Sequence, residues 1–170
     1  GTARHAGARH TLTSRGMTAY KQPVSVLVVI YTAELDVLLL ERAAHPGFWQ
    51  SVTGSRESNE SILATATREV GEETGLDVSQ FRLDDWYKTN QYEIFTEWRH
   101  RYAPGITQNT EHVFGLLLPE RQPVTISPVE HRQWRWAAWQ EAAAACFSSS
   151  NREAILELPG RLANQKQVPQ

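Results

Sequence analysis

Cysteine is all but missing from this chain: Cys146 is the single one. No internal disulfide can therefore staple the fold, a usage that fits a reducing compartment. An excess of either charge is missing too. The 17 Lys and Arg stand against 19 Asp and Glu, for a formal net charge of −2 and a pI near 6.3. That balance argues against a general nucleic-acid binder, whose partner demands a broad positive field. No stretch approaches the roughly 18 consecutive apolar residues of a membrane-spanning helix. There is no internal repeat. Residues 1–16 (GTARHAGARHTLTSRG) have almost no large apolar side chain and nothing like the apolar core of a secretory signal. They are expected to be a disordered leader, with Met17 as the natural start. What remains, 170 residues with 41% hydrophobic content, is enough for one compact domain with a real core. The domain is placed at residues 17–160, with 161–170 expected as a flexible tail.

Residues 23–32 (PVSVLVVIYT) are dense in β-branched side chains and predict a buried strand. A polar break at 33–36 and a second strand at 37–42 predict a hairpin. Residues 61–74 carry good helix formers, with Ile62, Leu63, Ala66 and Val70 on one stripe. Ser58 or Asn59 can cap the start, and Gly75 stands where a left-handed residue ends a helix. Residues 81–95 predict one or two strands, 99–110 an ordered loop, and 111–118 and 133–139 two more strands. Two helices are expected at 140–147 and 151–158. Strands and helices interleave, which predicts an α/β class with a mixed sheet sandwiched between helices (α/β/α).

The helix at 61–74 concentrates the chemistry. Glu69, Glu72 and Glu73 stand at i, i+3 and i+4, which sets three carboxylates on one side. Like charges so close repel, unless a divalent cation neutralises them. Oxygen donors select Mg²⁺, Mn²⁺ or Ca²⁺ over zinc. The triplet alone fits a solvated acidic face better. Its surroundings change that reading. Gly54 is followed after five residues by Glu60, and after seven more by Arg68-Glu69-Val70-Gly71-Glu72-Glu73-Thr74-Gly75-Leu76.

This segment resembles the signature of the Nudix hydrolases, G-x₅-E-x₇-R-E-U-x-E-E-x-G-U with U aliphatic, and fills every position of it. The resemblance implies the Nudix fold and a pyrophosphohydrolase. Its metal would be Mg²⁺, with Mn²⁺ as a substitute, and its substrate a small polyphosphate. Glu69 and Glu73 would be metal ligands, and Glu72 a further ligand, direct or through water. Arg68 and Glu60 would pair to hold the loop, while Gly54 and Gly75 would serve backbone geometry. Glu130 is the candidate for an extra ligand or for the general base, a role a box glutamate could also take. The chemistry would be in-line attack of an activated water at phosphorus.

Outside the box, residues 21–31 (KQPVSVLVVIY), 48–55 (FWQSVTGS), 93–95, 99–105 (RHRYAPG), 109–111 and 150–152 resemble the bacterial dihydroneopterin triphosphate pyrophosphohydrolases. That branch cleaves its substrate to the monophosphate and pyrophosphate in folate synthesis, which implies a cytoplasmic enzyme. By the same resemblance, Lys21 and Arg42 would contact the substrate's phosphates. Thr53, Tyr92, Glu93, Ile94, Phe95 and Ser148 would line its pocket. Tyr92 departs from an expected phenylalanine, and Ser149 from an expected tryptophan. Lys21 also reads as a solvated strand end, Arg42 as a partner of Glu41 or Asp36, and Phe95 as plain core. Arg99, His100 and Arg101 form a basic cluster able to reach phosphate or to stay solvated. Neither His100 nor His131 has a second His or Cys at metal-binding spacing. The alternative substrate class is oxidised or non-canonical nucleoside triphosphates. A non-catalytic sensor domain is disfavoured by the intact set of box glutamates. No stable nucleic-acid or membrane partner is expected.

Overall fold

A computed structural model describes residues 19–167. The expected leader, residues 1–16, lies outside the described residues. Strand β1 (Val24–Thr32) is the spine. It is buried on both faces, so its side chains are apolar almost without interruption. Leu27, Val29 and Tyr31 enter one core, and Val26, Val28 and Ile30 the other. Each fully buried aliphatic side chain stabilises the fold by about 1.5–3 kcal/mol.

Around it lie β2 (Asp36–Arg42), β3 (Trp49–Gln50), β4 (Val52–Ser55), β5 (Arg82–Glu93), β6 (Gln108–Leu118) and β7 (His131–Ala138), in one mixed seven-stranded sheet. Helix α1 (Ile62–Thr74) covers the second core. Helices α2 (Trp139–Ala145), α3 (Ser149–Leu156) and α4 (Leu158–Gln167) pack on the first. The α/β sandwich expected from the alternation of elements is what forms.

The expected hairpin closes only at its turn. Tyr31 pairs with Val37, after which β2 leaves β1 and pairs with β7 along its whole length. The sheet forks there, and residues 49–55 bridge the fork. Trp49 and Gln50 pair with β2, while Val52 to Ser55 pair with β1. Ser51 sits at the change of partner, so its buried N–H has no ladder acceptor. The Asn151 side chain supplies one: its Oδ1 accepts from Ser51 N at 2.8 Å, and its Nδ2 donates to Ser51 Oγ at 3.0 Å.

Other expectations shift by a few residues for identifiable reasons. Ser61, not Ser58 or Asn59, caps α1, its Oγ accepting from Ala64 N at 3.0 Å. Ser58 is taken up by a turn at φ 49°. The loop expected at 99–110 is shorter, because β6 begins at Gln108, where it already pairs with Glu93. Residues 96–101 form a 3₁₀ turn. Of the flexible tail expected at 161–170, residues 161–167 are instead helical in α4, and 168–170 lie outside the described residues. Pro159 falls in its first turn, where no N–H is required. Leu162 is buried and Gln165 donates to the Tyr31 hydroxyl at 3.1 Å.

Candidate active site

The fork opens a wide cleft of about 2050 Å³, into which α1, β4, the turn before β7, and the β5–β6 connection all project. One wall is acidic. Glu69 and Glu73 are buried on α1 and line the cleft, whereas Glu72 is exposed and lies outside the lining. The helical repeat explains the split: residue 73 lies about 40° from residue 69, and residue 72 about 60° to the other side. Glu72 accepts instead from Arg68 at 3.3 Å.

Arg68 is the hub of this wall. Its guanidinium donates to Glu60 at 2.7 and 3.0 Å, to Glu69 at 2.6 Å and to the Ser55 carbonyl at 2.9 Å. The Arg68 bond holds the Glu60 carboxyl down at about 2. Gly54 lets Glu69 approach, since a Cβ there would stand 2.1 Å from the Glu69 carboxyl carbon. At the far end of α1, Gly75 takes φ 74° and its N–H closes on Gly71 O at 2.9 Å.

Burial pushes the Glu73 carboxyl well above the ordinary range, and Glu69 and Glu130 push it further, against a bond from the Thr53 N–H. Burial raises Glu69 as well, against Arg68. Glu73 Oε1 is buried without a hydrogen-bond partner. Glu130 is exposed on the turn at 127–130, which Ala43 N anchors by donating to Glu130 O at 2.9 Å. Glu73, Glu130 and His131 bring one ligand atom each within 4.8 Å of one another. The raised carboxyls of Glu69 and Glu73, with the unpartnered Glu73 Oε1 beside Glu130, fit a divalent cation. His131 adjoins that centre, its Nε2 3.8 Å from Glu73 Oε1. Burial, then Arg42, lowers its pKa to about 4, so it stands there as neutral imidazole.

Another part of the lining is basic and aromatic. Lys21 N donates to Arg101 O at 2.8 Å, which ties two of its cations together. The Lys21 ammonium lies 5.9 Å from the Tyr102 ring centre, and Arg42 sits between Trp98 at 5.1 Å and Phe147 at 5.8 Å. Desolvation, then Arg101 and Arg42, lower the Lys21 pKa. Arg42 pairs with neither Glu41 nor Asp36: Asp36 binds Arg121 at 2.9 Å, and Glu41 accepts from Gly47 N at 2.7 Å. Among the described residues, Lys21, Arg42 and Arg101 have no carboxylate within ion-pair distance.

Phe95 is 56% exposed, which removes it from the core, and it meets Trp98 edge-on at 5.1 Å. Tyr92 also lines the cleft, its hydroxyl accepting from Asn109 Nδ2 at 3.0 Å. Ile94 is buried, and Glu93 is exposed with Arg99 at 4.0 Å. Thr53 lines the cleft beside Glu73, and Ser148 stands at its rim as the cap of α3, accepting from Asn151 N at 3.1 Å.

Several lining residues are not singled out by the sequence. Arg101 was one of three basic residues on a loop, with nothing to single it out. His131 was set aside for want of a spaced partner, because its neighbours Glu73 and Gln50 come from distant elements. Asn109 and Glu111 carried a usable signal: they interrupt the apolar inner face of β6.

Comparison with known proteins agrees with the geometry. The NUDIX domain matches residues 21–158. The chain is 48% identical over 139 residues to the dihydroneopterin triphosphate diphosphatase of Escherichia coli K12, covering 80% of this chain and 91% of that protein. The Haemophilus influenzae protein of the same name is 42% identical over 150 residues, covering 86% and 94%. The solved structure of the E. coli dihydroneopterin triphosphate pyrophosphohydrolase superposes with a TM-score of 0.75, over 80% of this chain and 94% of that one. The chain belongs to the Nudix family.

Proposed function

We propose that this chain is a pyrophosphohydrolase that cleaves dihydroneopterin triphosphate to the monophosphate and pyrophosphate, with Mg²⁺ or, as a substitute, Mn²⁺, in the cytoplasm. The observation that carries the reading is the polarity of one cleft. Buried Glu69 and Glu73 with Glu130 share one cleft with Lys21, Arg42 and Arg101, three cations that have no carboxylate within ion-pair distance among the described residues. A polyphosphate chain fits such a gap, since its oxygens need cations on both sides. The two relatives named for this activity, at 48% and 42% identity, support the substrate.

Glu69 and Glu73 would hold the divalent ion, with Glu130 able to complete the set and Glu72 acting only through Arg68 or an intervening water. Bound there, the ion would neutralise phosphate oxygens and make a water more acidic. Lys21, Arg42 and Arg101 would bind the remaining phosphate charge and orient the chain for in-line attack. Glu130, at the solvent-open side, is our choice of proton acceptor, because it can pass the proton to bulk water. Oxygen from that water joins one phosphorus while the bridging oxygen departs with pyrophosphate. Tyr92 and Phe95 would offer ring faces to the pterin.

Steady-state kcat/KM for dihydroneopterin triphosphate against 8-oxo-dGTP tests the substrate. The pterin should be preferred. A ratio in favour of the nucleotide would transfer the same chemistry to oxidised nucleoside triphosphates.

A further inference from the structure

The cleft also has a polar floor that phosphate chemistry leaves unused. It lies where three strands run side by side: Ser25 pairs with Glu111 across β1–β6, and Glu111 with Asn90 and Asn109 with Tyr92 across β6–β5. Strand alternation sets Asn109 and Glu111 on the same face as Val113, which belongs to the first core. Apolar side chains are expected on such a face. Instead, an amide 1% exposed and a carboxyl 5% exposed stand there, both lining the cleft.

Their hydrogen bonding is lopsided. Asn109 Nδ2 spends both hydrogens, on Ser25 Oγ at 2.7 Å and on the Tyr92 hydroxyl at 3.0 Å, while Oδ1 is buried with no partner. Glu111 Oε1 accepts a single long bond from Asn90 Nδ2 at 3.3 Å. Ser150 also bonds the carboxylate, yet burial still holds its pKa above the usual range. The floor thus presents acceptors short of donors, and an unsatisfied buried acceptor costs about 1–3 kcal/mol. A ligand rich in N–H groups would relieve that cost.

We propose that Glu111 and Asn109 read the heterocycle of the substrate, selecting rings that carry a ring N–H beside an exocyclic amine, the 2-amino-4-oxopyrimidine edge. This rests on the triphosphate-cleaving reading above. The two carboxylate oxygens and the Asn109 oxygen make three acceptors, and that edge supplies three hydrogens. Pterin and guanine share it. Adenine places a lone pair beside its amine and would meet the carboxylate acceptor to acceptor. Hypoxanthine keeps the ring N–H but lacks the amine.

The test is kcat/KM for GTP and for ITP with Mg²⁺, in the wild type, Glu111→Gln and Glu111→Ala. The ratio of the two is internal to each preparation, so partial loss of folded protein cancels, and the isosteric glutamine guards against collapse of the floor. The wild type should prefer GTP by about tenfold or more, the worth of a bond to a charged acceptor. Both variants should bring the ratio below about threefold, mainly by raising KM for GTP and for dihydroneopterin triphosphate. A wild-type ratio near one, or a ratio preserved in both variants, overturns the assignment while leaving phosphate cleavage standing. A wild type that cleaves no triphosphate overturns both.

Discussion

At the scale of single residues, the acidic wall is held by one arginine and one missing side chain. Arg68 binds Glu60, Glu69, Glu72 and a backbone carbonyl at once, so Glu69, which lines the cleft, is fixed by a group that does not. Gly54 leaves the space that Glu69 fills. In Gly54→Ala the methyl meets the flexible end of Glu69, so the carboxylate must swing away while the strand stays in place. The expected outcome is a fall in kcat/KM of about tenfold or more with a melting temperature lowered by only a few degrees. Full activity would show that the position of Glu69 does not matter. Residue types in this wall were legible because the box fixes them by spacing. Which carboxylates point inward is less so: Glu72 shares the acidic stripe in sequence, yet the side of the helix that carries 69 and 73, about one turn apart, is the buried one.

At the scale of elements, two short connections decide whether the cleft exists. The start of α1 depends on Ser61, and an N-cap serine contributes about 1 kcal/mol. Ser61→Ala should therefore lower the melting temperature by roughly 2–4 °C, whereas Asn59→Ala should leave it nearly unchanged. The reverse order would return the cap to the loop. The fork depends on Asn151, which serves the buried Ser51 through two bonds. Asn151→Ala strands the Ser51 N–H at a cost of about 2–3 kcal/mol, and a drop of roughly 5–10 °C is expected. An unmoved melt would mean that the fork is held by other contacts. Neither connection was readable in advance. Strand periodicity gives the strands but not their partners, and the apparent hairpin of β1 and β2 hid a sheet that divides after one pair. The final helix was missed because Pro159 and Gly160 look like breakers until one knows that they fall in a first turn.

At the scale of the whole molecule, the cleft collects residues that the chain keeps far apart: Lys21 before β1, Arg42 at the end of β2, Glu69 and Glu73 on α1, Arg101 in the β5–β6 connection and Glu130 before β7. Net charge near zero conceals this arrangement, because the cations and carboxylates of the cleft cancel in the sum. The fold class and the acidic half of the site were legible from pattern and box. The basic half was legible only through the longer resemblance, and Arg101 and His131 became site residues only once the sheet was closed. No helix among the described residues is long and apolar enough to cross a membrane. The central claim is that this bipolar cleft cleaves a triphosphate between its first and second phosphates. It is tested most directly by incubating the purified chain with Mg²⁺ and dihydroneopterin triphosphate and comparing released pyrophosphate with orthophosphate. Pyrophosphate released with the monophosphate and without orthophosphate, abolished by EDTA and reduced about a hundredfold or more in Glu73→Gln, is the predicted result. Orthophosphate release, or turnover that survives both EDTA and the substitution, would contradict it.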